Sequence, residues 1–148
     1  MTTSEVPELS VDEANALVPT LHRLVSRQMR LQAEVAEELE ALHKRLGRLP
    51  RDITPHVDDP GDVIDRKEKI AELIQSVEDG WAEVSALGCV VKDPRVGLVD
   101  FYGRVDGELV CLCWKFGEEA ILHYHGLDEG FAGRKPLPAA APLHRLFN

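Results

Sequence analysis

One dipeptide constrains this chain more than any other. Asp106-Gly107 is flanked by two runs of alternating side chains, LVDFYGRV before it and ELVCLCWK after it. Asp-Gly suits a type I′ turn, because both central residues of that turn need positive φ, and such a turn joins two antiparallel strands. The spacing predicts a hairpin in which Val105 faces Glu108, Tyr102 faces Cys111, Phe101 faces Leu112 and Asp100 faces Cys113. Successive side chains leave a strand on opposite sides. One face therefore carries Val99, Phe101, Val105, Val110, Leu112, Trp114 and Phe116, and is the expected core face. The other carries Leu98, Asp100, Tyr102, Arg104, Leu109, Cys111, Cys113 and Lys115, and chemistry is expected there.

A third strand is expected over Ala120 to His125, and its register decides which residues join that second face. A two-residue turn at Gly117-Glu118 sends Ile121, His123 and His125 to the core. A three-residue turn sends Ala120, Leu122 and Tyr124 there instead, because a one-residue slip flips every side chain. The second register is preferred, since burying two histidines beside Trp114 is less favourable than burying a leucine and a tyrosine. It places His123 opposite Cys113 and His125 opposite Cys111. Cys111, Cys113, His123 and His125 then form a candidate ligand set for tetrahedral zinc, or for iron. Side chains at i and i+2 stand ~7 Å apart, and the spacing is not that of a zinc finger. The competing reading is that the cysteines are small half-buried hydrophobes and the histidines are hydrogen-bonded surface groups.

The chain before the sheet has a different vocabulary. All eight Phe, Tyr and Trp residues lie at position 81 or later, and the first half is rich in Leu, Ala, Glu and Arg. Residues 1 to 9 read as a loose tail. Ser10 and Glu13 form an S-x-x-E capping box. Leu17, Leu24 and Leu31 recur at intervals of seven, with Leu21, Gln28 and Val35 beside them, so one long helix runs to about Leu46. Pro19 should kink or restart it. Gln28 falls on the seam, where it can set register, and the stripe shifts near Glu38, which a straight heptad would bury. Gly47, Pro50, Pro55 and Pro60 mark a connection of roughly a dozen residues. Asp59-Pro60 reads as an N-cap followed by the first helical residue. A second helix carrying Ile70, Ile74, Val77, Trp81 and Val84 ends near Leu87, with Gly88 as its stop.

The expected fold is α+β: a long antiparallel helical hairpin over 11–87, followed by a small antiparallel β-sheet of three or four strands. The chain is read as a single domain over 1–148, with sheet and glycine-rich loop in 88–134 and an extended tail in 135–148. Of 148 residues, 44% are hydrophobic and 29% charged, which is ordinary for a globular domain. The net charge of −9 opposes binding to nucleic acid or to an anionic membrane surface. No apolar run reaches the ~20 residues of a membrane span, and the N-terminus lacks the features of a signal peptide. A cytoplasmic location with three reduced thiols is the corresponding expectation.

Certain motifs carry a family likeness: the opening DEANALVP, then VKD, GLVDF, LCWKFGE, and YH followed by GFAGR. With them the chain resembles the prokaryotic "domain of unknown function 2203" family over nearly its whole length. The resemblance implies no assigned chemistry. It does imply that Asp100, Cys113, Trp114, Gly117, Glu118, His125, Phe131 and Arg134 belong to a shared pattern. This favours a constellation of Asp100, Cys113, Glu118, His125 and Arg134 over one that needs Cys111 and His123.

Three functional readings compete. A metal site on the polar face is the first. An enzyme using Cys113, His125 and an acid such as Asp100 or Glu118 is the second, opposed by the way a nearby carboxylate disfavours a thiolate. The third is an interaction module that docks partners, or forms a homodimer, through the helical hairpin. Arg104 and Arg134 are either anion-binding groups or partners of local carboxylates. The GLDEGFAG stretch lacks a phosphate-binding pattern and is expected to fold over the polar face, anchored by Phe131. No small-molecule ligand is identifiable from these residues.

Overall fold

The computed structural model describes residues 6–138. The last ten residues of the expected tail lie outside that range. The order of elements is α1 (Val11–Ala16), α2 (Val18–Leu46), α3 (Gly61–Ser85), β1 (Cys89–Asp93), β2 (Leu98–Val105), β3 (Glu108–Lys115), β4 (His123–His125), a 3₁₀ turn (Phe131–Gly133) and β5 (Lys135–Pro136). The fold is α+β, with long helices followed by a five-stranded antiparallel meander in the order β1-β2-β3-β4-β5. The sheet thus has more strands than the three or four expected. No helix among the described residues is long and apolar enough to cross a membrane.

The chain forms two compact units, one comprising Ser26–Ala82 and the other the segments on either side of it. In the helical unit α2 and α3 run antiparallel, pairing Gln28 with Val77, Glu38 with Arg66 and Arg45 with Asp62. Leu42, Val63 and Ile70 are its buried centre, with Leu39, Leu46, Ile53 and Ile74 packed around them. Glu38, the residue that interrupts the stripe, is mostly buried and bonds Arg66 at 2.6 Å. Gln28 is buried in the seam and donates to the Val77 carbonyl at 2.7 Å. Asp59 does not act as the expected N-cap. Its Oδ2 accepts from the His56 N–H and from Lys67, each at 2.9 Å, while the Val63 and Ile64 N–H groups bond the Pro60 carbonyl.

In the sheet unit the capping box forms as expected: Glu13 N–H donates to Ser10 Oγ and Ser10 N–H to Glu13 Oε1. The helix stops at Leu17 and restarts at Val18, one residue before Pro19, where a missing N–H has no intrahelical role. Residues 8 and 9 are not loose. Glu8 bridges Tyr102 in parallel and the Leu9 N–H bonds the Tyr102 carbonyl. Gly103 permits this approach, because a Cβ there would lie 2.8 Å from the Leu9 carbonyl oxygen. The hairpin turn has φ of 53° at Asp106 and 83° at Gly107, and the β2–β3 register is the one the turn predicts. Val99, Phe101, Leu112 and Trp114 are fully buried on one face.

The third strand of the expectation is shorter than its sequence suggested. Cys113 pairs with His123 and Cys111 with His125, as in the preferred register, but pairing begins only at His123. Ile121 is buried and Leu122 is exposed, the reverse of the expected arrangement. The reason is Asn15, whose amide accepts from the Ile121 N–H at 2.7 Å and donates to its carbonyl at 3.3 Å. That side chain takes both backbone groups a strand would have used. Lys135–Pro136, expected as tail, adds β5 beside β4, and Leu137 is buried.

Candidate functional site

Asp100, Cys113 and His125 come from three neighbouring strands, β2, β3 and β4, and share the face opposite Phe101 and Trp114. Asp100 faces Cys113 directly, and His125 reaches across from the far side of β3. One ligand-capable atom from each lies within 4.8 Å of the other two. All three residues are at most 2% exposed. The centre of the face that sequence alternation marks as polar is therefore buried, while Leu98, Tyr102, Leu109 and Lys115 around it are partly covered and Arg104 is exposed. Alternation assigns a side chain to a face; it does not reveal what later covers that face.

The hydrogen-bond pattern of His125 fixes its chemistry. Nδ1 is 2.8 Å from the Gly126 carbonyl, which can only accept, so Nδ1 carries the proton. Nε2 lies 3.1 Å from the Asp100 carboxylate. Only Oδ1 has hydrogen-bond geometry toward it; Oδ2 is buried without a partner. In a neutral imidazole protonated at Nδ1, Nε2 presents a lone pair to a carboxylate. Two acceptors face to face repel, so a cation, either a proton or a metal ion, belongs between them.

Cys113 receives an N–H from Arg134 at 3.7 Å. Burial pushes its thiol up to about 11, with the Asp100 charge adding to the rise and Arg134 opposing it. Such a thiol is a weak nucleophile at neutral pH. Cys111 is buried on the same face, and its thiol is also pushed up to about 11, first by burial and then by Asp100. Cys89, buried on the other face, donates to the Val84 carbonyl and its thiol is pushed up to about 12 by burial. All three cysteines are free.

The other candidates sit at different distances from this centre. Neither Cys111 nor His123 belongs to the group of three. His123 is half-buried and its pKa lies below the ordinary value, by burial and by the nearby Arg134 charge. Glu118 closes around Arg134 with both carboxylate oxygens and also accepts the Lys115 N–H at 2.8 Å. Burial pushes the Glu118 carboxyl up, but Arg134 and Lys115 outweigh it and hold it below the usual glutamate range. Arg104 is elsewhere: exposed, bonded to Glu8 at 2.9 Å and to the Gly107 carbonyl. The glycine-rich loop does reach the polar face. Phe131 lies 4.4 Å from the Arg134 guanidinium and 5.3 Å from the Lys115 ammonium.

Two contributors were not visible as sequence motifs. The Gly126 carbonyl sets the His125 tautomer, and Asn15 ends the strand that carries His125. The first is a backbone group and has no side-chain signal; the second falls within the DEANALVP stretch, whose likeness marked it without explaining it.

No curated protein and no solved structure matches the chain. Residues 9–137 match the family described as "Uncharacterized conserved protein (DUF2203)", and the chain belongs to that family.

Proposed function

We infer that this is a metal-binding protein in which Asp100, Cys113 and His125 hold a divalent ion, zinc before iron, across three strands of the sheet. The observation that carries this reading is the buried, unpartnered Asp100 Oδ2 beside an imidazole nitrogen whose lone pair is aimed at the same carboxylate. A proton between Nε2 and Oδ1 would satisfy two atoms and leave Oδ2 and the Cys113 sulfur as they are. A metal ion uses all three groups. Zinc bonds of ~2.0–2.3 Å make a tetrahedron with edges of roughly 3.3–3.8 Å; Nε2 and the carboxylate, 3.1 Å apart, already stand near that length, and the sulfur lies within 4.8 Å of both. The Nδ1–H bond to a backbone carbonyl is the outer contact that orients metal-bound histidines.

Charge supports the same ion class. One carboxylate, one thiolate and a neutral imidazole balance a divalent cation without leaving net charge in a buried site. A sulfur and a nitrogen ligand select zinc over magnesium or calcium, which prefer all-oxygen sets. Cys111, next along β3 on the same face, is the nearest candidate for a fourth ligand. Burial of all the ligands suits a closed site that braces β2, β3 and β4 rather than one open to substrate.

Elemental analysis of protein purified without an affinity tag is expected to give about one equivalent of zinc per chain. Cobalt substitution should produce sulfur-to-metal charge-transfer absorption that is lost in Cys113→Ala. A protein that binds neither zinc nor cobalt on titration, and unfolds identically with and without chelator, would overturn the reading.

A further inference from the structure

We propose that the loop Gly126–Arg134 is a lid over this buried centre, latched by the Arg134–Glu118 pair, and that its opening limits metal entry and release. The inference rests on the metal reading above. Two contacts run from this loop to the three ligands. Its first residue, Gly126, accepts from His125 Nδ1, and its last, Arg134, donates to the Cys113 sulfur. One segment thus touches two of the three ligands from outside.

The loop is built to move. Leu127 to Ala132 are all exposed, and the 3₁₀ turn within it buries no residue. Segments with so little buried apolar surface open at a small fraction of the global unfolding free energy. One contact braces it internally and two fasten it to the sheet side. Glu129 Oε1 accepts the Gly126 N–H at 2.7 Å, within the loop. Phe131 stacks on the Arg134 guanidinium and also lies 5.3 Å from the ammonium of Lys115 on β3. Arg134 itself is only 15% exposed and bonds both oxygens of Glu118, a residue outside the loop that is fixed in turn by the Lys115 N–H. Glu118 is therefore the anchor on the sheet, and Arg134 the bolt that closes over Cys113.

Neither Glu118 nor Phe131 belongs to the ligand group, so each can be changed while the ligands stay. The test uses the full zinc-loaded chain and follows transfer of zinc to excess chromogenic chelator. Glu118→Gln and Phe131→Ala are expected to release zinc at least tenfold faster than the unchanged chain. Stoichiometry and the cobalt spectrum should stay the same. Glu8→Gln, which breaks an ion pair to Arg104 away from the loop, should leave the rate unaltered. Equal release rates in all variants would overturn the lid while leaving the metal site intact. So would loss of bound metal in Glu118→Gln, since that would make Glu118 part of the site. A chain that never held zinc would instead overturn the reading beneath it.

Discussion

Each of the two units buries a polar side chain and leaves one of its oxygens without a partner: Gln28 Oε1 between the helices and Asp100 Oδ2 in the sheet. The similarity ends there. Gln28 is neutral, and its amide nitrogen is satisfied by the Val77 carbonyl. Its place exists because residue 80 is glycine; a Cβ there would stand 1.7 Å from Gln28 Oε1. Nearby, the Trp81 indole N–H donates to Gln32 at 2.8 Å, so the seam is a small neutral hydrogen-bonded layer. An unpaired amide oxygen costs about 1–3 kcal/mol and a folded chain can carry it. Asp100 is ionisable, and the groups beside it are an imidazole and a thiol that also bind metals. A buried carboxylate without a cation costs far more. Burial of a polar group does not by itself mark a site; the chemistry of its neighbours does.

The largest effect should separate these two places. In the zinc-loaded chain Asp100→Asn keeps the shape and removes the carboxylate charge that the buried ion needs, leaving that ion under-compensated. Urea unfolding should show a loss of about 3–5 kcal/mol, the range for breaking a buried pair. Gln28→Leu removes the unpartnered oxygen along with its bonded nitrogen and should stay within about 1 kcal/mol of the unchanged chain. If the leucine costs as much as the asparagine, the seam is as demanding as the sheet centre and the contrast is lost.

A smaller effect tests the seam alone. Glycine inside a helix is normally about 1 kcal/mol worse than alanine. Here Gly80→Ala should still destabilise by about 1–3 kcal/mol, because the new methyl displaces a buried glutamine from its bond to Val77. In a Gln28→Ala background the clash is gone, and the same change should turn neutral or stabilising by up to about 1 kcal/mol. Equal effects in both backgrounds would mean that Gly80 is not there for Gln28.

The same contrast explains what the sequence could show. The β2–β3 pairing was legible because Asp106-Gly107 fixes the turn and alternation fixes the faces. The restart at Val18 was legible because proline has a definite backbone consequence. The pairing of Cys113 with His123 was also readable, yet the neighbouring expectation for Ile121 and Leu122 failed. Asn15, about a hundred residues earlier, replaces the strand bonds there, and no local pattern records that. Lys135–Pro136 reads as tail because proline cannot donate to a ladder. It is nonetheless admissible on a two-residue edge strand, where no neighbour asks for its N–H. Residue types and register together brought Asp100 and Cys113 face to face. The direction of His125 Nε2 was out of reach, because a backbone carbonyl decides it. The contact of Arg134 with Cys113 was equally hidden, since it joins residues 21 positions apart through a loop with no regular period.

A third buried polar group gives the smallest test and sharpens the comparison on the helical side. Lys67 is 3% exposed and is held by Asp59 at 2.9 Å and by the Thr54 carbonyl at 3.3 Å. Unlike Gln28 it is charged, and unlike Asp100 it has a full partner. The Lys67 ammonium, with the His56 N–H, holds the Asp59 carboxyl below its ordinary value of 3.8. The sign follows from that depression. Folding favours the ionised form, so the contribution is complete above the ordinary value and is lost as pH falls through the folded one. Asp59 retains partial solvent contact, so the effect is screened and should be modest. Acid titration followed by amide hydrogen exchange should show the 47–60 connection losing protection below about pH 4 before the rest of the helical unit. In Asp59→Asn that early step should be absent and the connection already less protected at neutral pH. If the connection and the helices lose protection together in both chains, Lys67 is held by packing alone, and the helical unit depends on neutral contacts throughout.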